Sequence, residues 1–315
     1  MQQQSIVPFA SPSSEVTHEP VQEAHADLES WLKGRRRGLG GSDAAAVFGI
    51  HPFKSEYELW SEKVGLIEAS SGETEAQYWG KELEEPIARR YAMVTGRRLI
   101  DYGRFTIFRS QEFPFLFCTP DREIADDFRG RGSLSIKNVT QFKAADWEDE
   151  APAYYQIQLQ HELAVLGWPW GSFGVLIGGN TFRWVDVVRN QPFIEILVEK
   201  CAAFWRRVER QEAPPVDGSQ RTRDALHRLH ATETAGIVQL PDAMSEVDSE
   251  LCALKAQQKE LEVRRTLLEN QIKAVIGNAT FGALPGGHGG YRWRTVERAG
   301  YSVGPKKARE LRRVA

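Results

Sequence analysis

Three strand-like runs, "RRLIDYGRFTIF", "FPFLFCTPDREIAD" and "GSLSIKNV", fall between residues 97 and 139 and are separated by Gly, Pro and Arg-Gly breaks. Helical periodicity flanks them. Leu83, Ile87, Tyr91 and Val94 recur at helical spacing in a helix expected from about Glu75 to Thr95, and Tyr154 to Leu166 reads as another helix. Strands bracketed by amphipathic helices predict an α/β fold, a small mixed sheet with helices packed on it. Further along, "FGVLIGGNTFRWVDVV" reads as a hairpin turning at Gly178-Gly179-Asn180, and a helix from about Phe193 to Val208 closes this part.

Pro214-Pro215 stops any helical continuation. The expected organisation is a leader over 1–25, a main domain over 26–212, a linker over 213–242, an amphipathic helix or short coiled coil over 243–278, and a small basic strand-containing segment over 279–315. Within the amphipathic helix Leu254, Leu261, Leu268 and Val275 stand seven apart, with Val247, Leu251 and Ile272 among them and Gln258 and Arg265 interrupting.

A length of 315 residues accommodates two structural units. No apolar run approaches the roughly 18 residues a membrane span needs, so no membrane partner is expected. The polar N-terminus lacks the pattern of a secretory signal, and three scattered cysteines, Cys118, Cys201 and Cys252, suit neither a disulfide framework nor a zinc cluster. A cytoplasmic location is the expectation. The net charge of -3 hides basic clusters at Arg35-Arg36-Arg37, Arg89-Arg90, Arg97-Arg98 and in the tail at Lys306, Lys307, Arg309, Arg312 and Arg313.

Several residues could carry chemistry. Glu84 lies beside the buried helical stripe, one turn after Gly80, although a surface glutamate has the same pattern. Asp121 follows Thr119-Pro120 at the end of an apolar run, where proline stops the ladder; an ordinary turn aspartate would look alike. Ser133, Ser135 and Lys137 share one face of the third strand, opposite Leu134 and Ile136. Gln158 and Glu162 share a helix face at i, i+4. Arg35 and Ser42 flank glycines that open a short helix, with Ser42 as its expected N-cap, an arrangement able to hold a phosphate.

Taken in order, "WLKGRRRGLGGSDAAAVFGIHPFKSEYELWSEKVG", "YWGKELEEPIARRYAMVTG", "FPFLFCTPDREI", "LSIKNV" and "YYQIQLQHELAVLGWPWGSFGVLIGG" resemble the YqaJ-type viral recombinases, the phage lambda-type alkaline exonucleases of the PD-(D/E)XK nuclease superfamily. The resemblance covers roughly residues 30 to 208. It implies a restriction-endonuclease-like core and Mg²⁺-dependent, 5'-end-directed hydrolysis of linear double-stranded DNA for recombination, with Mn²⁺ as a substitute metal. It makes Glu84 and Asp121 metal-binding acids, Lys137 the lysine that closes the motif, Gln158 a glutamine of the active centre, and Arg35 and Ser42 the holders of the 5'-phosphate. It also implies DNA ends, a single-strand annealing protein and a homo-oligomeric ring, a trimer, as partners, in a host-cell cytoplasm.

The chain departs from that pattern at one place. Where the family has E-x-K, this sequence has Ser135-Ile136-Lys137, and a neutral hydroxyl binds Mg²⁺ far less well than a carboxylate. Three readings stand open: Glu162 or Glu123 replaces the acid, the site works slowly through Asp121 and Glu84, or the chain binds DNA ends without cutting them.

Overall fold

The computed structural model describes residues 19–68, 74–125, 127–287 and 289–297. The chain divides into two compact units, residues 1–231 and 232–315. In the first, the elements are β1 (Val21–Ala24), α1 (Leu28–Arg36), α2 (Gly41–Val47), α3 (Glu56–Lys63), α4 (Glu75–Glu82) and α5 (Glu84–Thr95). Then come β2 (Arg98–Ile100), β3 (Thr106–Arg109), β4 (Phe117–Cys118), β5 (Arg122–Ala125), β6 (Gly132–Val139) and α6 (Ala153–Leu166). The unit ends with β7 (Trp170–Ile177), β8 (Thr181–Val188), α7 (Gln191–Arg210) and α8 (Gln220–Leu229). The second contains α9 (Met244–Ile276) and a two-stranded hairpin, β9 (Phe281–Ala283) with β10 (Gly290–Arg292).

The first unit is the expected mixed sheet flanked by helices. Its main sheet has the order β2-β5-β6-β7-β8, with β6 and β7 parallel and every other pair antiparallel. The parallel step requires a crossover, and α6 supplies it. A smaller antiparallel sheet, β1-β3-β4, lies apart from the main one.

Strand alternation divides the chemistry of β6 between two faces. Leu134 and Ile136 join Ile87, Ala88 and Tyr91 of α5 in one core, together with Ile124 and Trp170. Ser133, Ser135 and Lys137 take the other face, level with Gly171, Phe173 and Val175 of β7. That second face is covered rather than open to water: Ser133 and Ser135 are buried beneath α6, whose Leu159 packs with Phe173 and Val175. At Gly171 a side chain would meet Leu159 Cδ1 at 2.7 Å and the Ser133 carbonyl oxygen at 2.8 Å, so glycine lets helix and sheet approach closely.

Four details differ from the expectations. The expected leader ran to residue 25, yet β1 pairs with β3 over Val21–Ala24; residues 1–18 lie outside the described residues. The helix expected over Glu75–Thr95 is two helices meeting at Leu83, because Pro86 has no N–H to continue the ladder. Ser42 is not the N-cap of α2: Gly40 is, and its N–H donates to Asp43 Oδ2 at 3.0 Å. Finally, α8 occupies part of the expected linker, with Thr222 and Ala225 buried and Arg228 bonded to Glu58 of α3. The basic tail and the polar stretch Ser70-Ser71-Gly72 lie outside the described residues.

Candidate active site

The centre is built where β5 and β6 meet beneath α6. Asp121 stands one residue before β5, a step beyond the Arg122–Leu134 pair, which brings it level with Ser135. Its Oδ2 accepts the Ile136 N–H at 2.6 Å, fixing the carboxylate against β6 between Ser135 and Lys137. Lys137 holds its ammonium 5.0 Å from the centre of the Tyr155 ring, and no carboxylate among the described residues is within ion-pair distance of it.

Glu162 reaches the same place from α6. Its Oε2 accepts from Ser133 Oγ at 2.9 Å and its Oε1 from Gln158 Nε2 at 3.0 Å. The i, i+4 relation of Gln158 and Glu162 is thus a hydrogen bond in the fold. Burial and the charge of Asp121 push Glu162 up to about 7, against the opposing pull of Lys137, Gln158 and Ser133. Asp121 is raised by burial, against Lys137 and the Ile136 N–H. Glu84 is raised by burial and then by Asp121, against Arg122. Negative charge is therefore crowded here, with Lys137 the cation that opposes it at both Asp121 and Glu162.

Ser135 is 1% exposed, and its hydroxyl has no hydrogen-bond partner among the described residues. Glu84 sits at the first position of α5 and receives Arg122 Nη1 at 2.6 Å, while the second guanidinium nitrogen reaches Glu85 at 3.0 Å. Glu123, one of the two replacement acids considered, is drawn away: it pairs with Arg131 at 2.9 Å and accepts from the Tyr102 hydroxyl. Glu123 has the same strand parity as Asp121 and lies level with Ser133, so the arginine eight residues on, not alternation, accounts for that loss. Ser133 as the support of Glu162 escaped sequence reading, although its shared parity with Ser135 and Lys137 was visible.

Among the described residues no three acidic, histidine or cysteine side chains gather as a ready-made metal cage. Magnesium does not require one, since it commonly takes one or two carboxylates and completes its shell with water and substrate phosphate. Asp121 and Glu162 fit that need: both are oxygen donors, Glu162 is buried and Asp121 half-buried, and the repulsion that raises Glu162 is what a cation relieves.

The second cluster is formed by α1, α2 and β4. Arg35 places its guanidinium 4.6 Å from the Trp31 ring centre and 5.3 Å from that of Phe117. Burial pulls its pKa down, although Asp43 pulls it up, and no carboxylate lies within ion-pair distance among the described residues. Asp43 is committed to Lys63 at 2.8 Å, and Lys63, Lys54 and Arg35 hold its carboxyl far below the usual range despite burial. Ser42, the second residue of α2, is exposed. His161 is buried, and its Nε2–H donates to the Phe117 carbonyl oxygen at 3.0 Å; burial lowers its pKa.

Residues 30–169 match the YqaJ-like viral recombinase domain. The Bacillus subtilis (strain 168) protein YqaJ, described as uncharacterized, is 33% identical over 275 residues, covering 85% of this chain and 83% of its own length. The chain belongs to the YqaJ-like viral recombinase family. Among solved structures, this YqaJ-like protein is similar to an alkaline exonuclease from Laribacter hongkongensis (18% identity, 59% of this chain and 94% of that one, TM-score 0.48). It is also similar to a phage-related exonuclease from Haemophilus somnus (13% identity, 55% and 94%, TM-score 0.41). No helix among the described residues is long and apolar enough to cross a membrane.

Proposed function

We propose that this YqaJ-like protein is a Mg²⁺-dependent exonuclease that degrades linear double-stranded DNA from 5' ends, with Glu162 of α6 replacing the acid that Ser135 lacks. The observation that carries the reading is the position of Glu162: bonded to Ser133 and Gln158, it presents a carboxylate beside Asp121 and Lys137, on the same face of β6 from which an E-x-K acid at position 135 would project. Glu123 is not part of the proposal, because Arg131 and Tyr102 occupy it.

Asp121 and Glu162 would hold the metal, with Glu84 in reach once Arg122 yields it; Mn²⁺ satisfies the same oxygen ligands. When bound, Mg²⁺ polarises the scissile phosphate and lowers the pKa of water. Lys137, with no carboxylate partner among the described residues, would steady the attacking oxygen or the charge that develops on the phosphate. Gln158 fixes the orientation of Glu162 through its amide. Arg35, pinned between two rings, and the exposed hydroxyl of Ser42 receive the terminal 5'-phosphate. Single strands left behind would pass to an annealing protein in the host cytoplasm, and self-association of the chain would keep the enzyme on its substrate.

The test is a transfer of the acid. Purified protein is given 5'-phosphorylated linear duplex with Mg²⁺ or with EDTA. Glu162→Gln should lower nucleotide release by about 10²- to 10³-fold, and adding Ser135→Glu to it should recover much of the loss. Full activity in Glu162→Gln would refute the assignment of Glu162. Absence of Mg²⁺-dependent release from the unmodified chain, with release by the Ser135→Glu single variant, would favour the other reading, a DNA-end binder that does not cut.

A further inference from the structure

The 33-residue helix α9 has no buried residue, although it carries a long apolar seam. Val247, Leu254, Leu261, Leu268 and Val275 fall at one position of a seven-residue repeat, and Met244, Leu251, Gln258, Arg265 and Ile272 at the position three residues earlier. These are the d and a positions of a heptad, sustained over about four and a half repeats. Met244, Val247, Leu251, Leu254, Leu261, Leu268 and Val275 are exposed to solvent. A repeat of seven residues, about 3.5 per turn rather than the 3.6 of a straight helix, fits a partner that supercoils along the whole length.

Charges beside the seam discriminate among partners. In the same register the g positions are Glu250, Gln257, Arg264 and Gln271, and the e positions Asp248, Lys255, Glu262 and Glu269. If two copies lie parallel and in register, Glu250 faces Lys255 of the second copy and Arg264 faces its Glu269, and each attraction occurs twice by symmetry. No like-charged g–e pair arises. A shift by one heptad sets Glu250 against Glu262 or against Asp248. Antiparallel arrangements fare worse. Centring them on the helix sets Asp248 against Glu269 at both ends, and sliding one heptad brings Arg264 to Arg264 and Glu262 to Glu262 in one direction, or Asp248 to Glu262 and Lys255 to Lys255 in the other.

The two polar a positions agree with this choice. In register, Gln258 meets its own copy and the paired amides can bond each other, which any slip would forfeit. Arg265 brings its own acids, lying 2.5 Å from Glu262 and 3.6 Å from Glu269 on the same helix, so the two guanidinium groups at that layer are each neutralised from the flanks. Polar side chains at a also disfavour the more enclosed three-stranded core.

We propose that α9 is a self-association helix that joins two copies of this chain in a parallel, in-register, two-stranded coiled coil. The occupant of its apolar seam is the α9 of a second copy, chosen over an unrelated partner because the chain's own flanking charges complement each other in that one alignment. The proposal is independent of the nuclease reading, since it draws only on α9.

The experiment uses the full-length chain in a Cys252→Ser background, which removes the exposed thiol; Cys118 and Cys201 are buried. Leu268→Cys sits at a d position, where parallel in-register helices bring the two introduced thiols together. Oxidation should convert most of the protein into a covalent dimer on a non-reducing gel, while Val263→Cys, on the outer face, should remain uncrosslinked. Sedimentation should also show that Leu261→Asp at least halves the particle mass of the unmodified chain. Because Leu261 is exposed, that change does not empty a core, and charge exchange supplies a check free of apolar loss: Glu250→Lys should weaken association about tenfold, and Glu250→Lys with Lys255→Glu should restore it. Failure of Leu268→Cys to crosslink, an unchanged mass in Leu261→Asp, or no rescue by the double exchange would each overturn the proposal.

Discussion

Gly41, the first residue of α2, lies against Gln158 and Glu162 of α6, so closely that a β-carbon there would stand 2.9 Å from Gln158 Cγ, 3.2 Å from the Gln158 carbonyl oxygen and 3.5 Å from Glu162 Oε1. The contact joins the cluster of Arg35 and Ser42 to the acids of the centre. A DNA end held at the first would present its phosphodiester at the second, which is the geometry an end-directed nuclease needs.

Gly41→Ala should therefore separate positioning from stability. Alanine is the better helix former by roughly 0.5–1 kcal/mol, but the Gln158 backbone cannot swing aside as a flexible chain end would. The expected result is a fall in exonuclease rate of about tenfold or more with a thermal midpoint that moves little. Unchanged rates on 5'-phosphorylated duplex would mean that the α2–α6 seam does not govern placement.

Glu162 gives the metal-free protein a pH dependence of definite sign. Its folded pKa of about 7 lies above the ordinary 4.5, so below about 4.5 folded and unfolded chains both hold the proton and no difference arises. As pH rises from there to about 7 the unfolded chain releases the proton more readily, and stability declines by about 3 kcal/mol across that window. Thermal unfolding in EDTA from pH 4.5 to 8 should show this decline, and Glu162→Gln should flatten it. Added Mg²⁺ should restore the midpoint above pH 7, because a cation favours the ionised form.

A third expectation concerns the frame at the far end of the sheet. Asp186 of β8 receives Arg97 at 2.6 and 2.9 Å, Arg129 at 2.9 Å and Ser172 at 2.8 Å, while both guanidinium groups stack on Trp170. Burial raises the Asp186 carboxyl, but Arg97, Ser172 and Arg129 hold it below the ordinary 3.8. Its contribution is present above pH 3.8 and lost as pH falls through the depressed value. Asp186→Asn should cost about 2 kcal/mol at neutral pH, less than a fully buried pair because the site is partly solvated. Chemical denaturation measures it, and a cost below about 0.5 kcal/mol would show the network to be dispensable.

How much of this was legible in the sequence follows from whether the determining interaction is local. The strand of Ser133, Ser135 and Lys137 could be read from alternation, and the pairing of Gln158 with Glu162 from helical spacing. That Glu162 lands on Ser133 depends on α6 crossing β6, a long-range packing event with no local signature. Glu123 illustrates the converse: its place two residues beyond Asp121 suggested a replacement ligand, but Arg131, brought across the β5–β6 turn, takes it. The break at Leu83 was signalled by Pro86 and overridden by an apolar stripe that continues through it. In α8 the buried residues Thr222 and Ala225 are too small and too polar to stand out as a core face, so the segment read as linker.

Arg35 supplies the last prediction. Its guanidinium is held flat between Trp31 and Phe117, with Gly40 alongside: a β-carbon there would sit 3.6 Å from Nη2. A planar cation over aromatic rings, without a carboxylate partner among the described residues, suits an incoming phosphate, and lysine cannot reproduce either the stacking or the fork of donors. Arg35→Lys should therefore behave nearly as badly as Arg35→Ala. Both should lower the preference for 5'-phosphate over 5'-hydroxyl ends about tenfold, corresponding to roughly 1.4 kcal/mol, while leaving the slower degradation of 5'-hydroxyl duplex close to its original rate. The measurement is the ratio of degradation rates on the two duplexes at one salt concentration, since electrostatic binding to the rest of the backbone shifts both with ionic strength. An equal loss on both ends would assign Arg35 to general DNA binding or to packing rather than to the terminal phosphate.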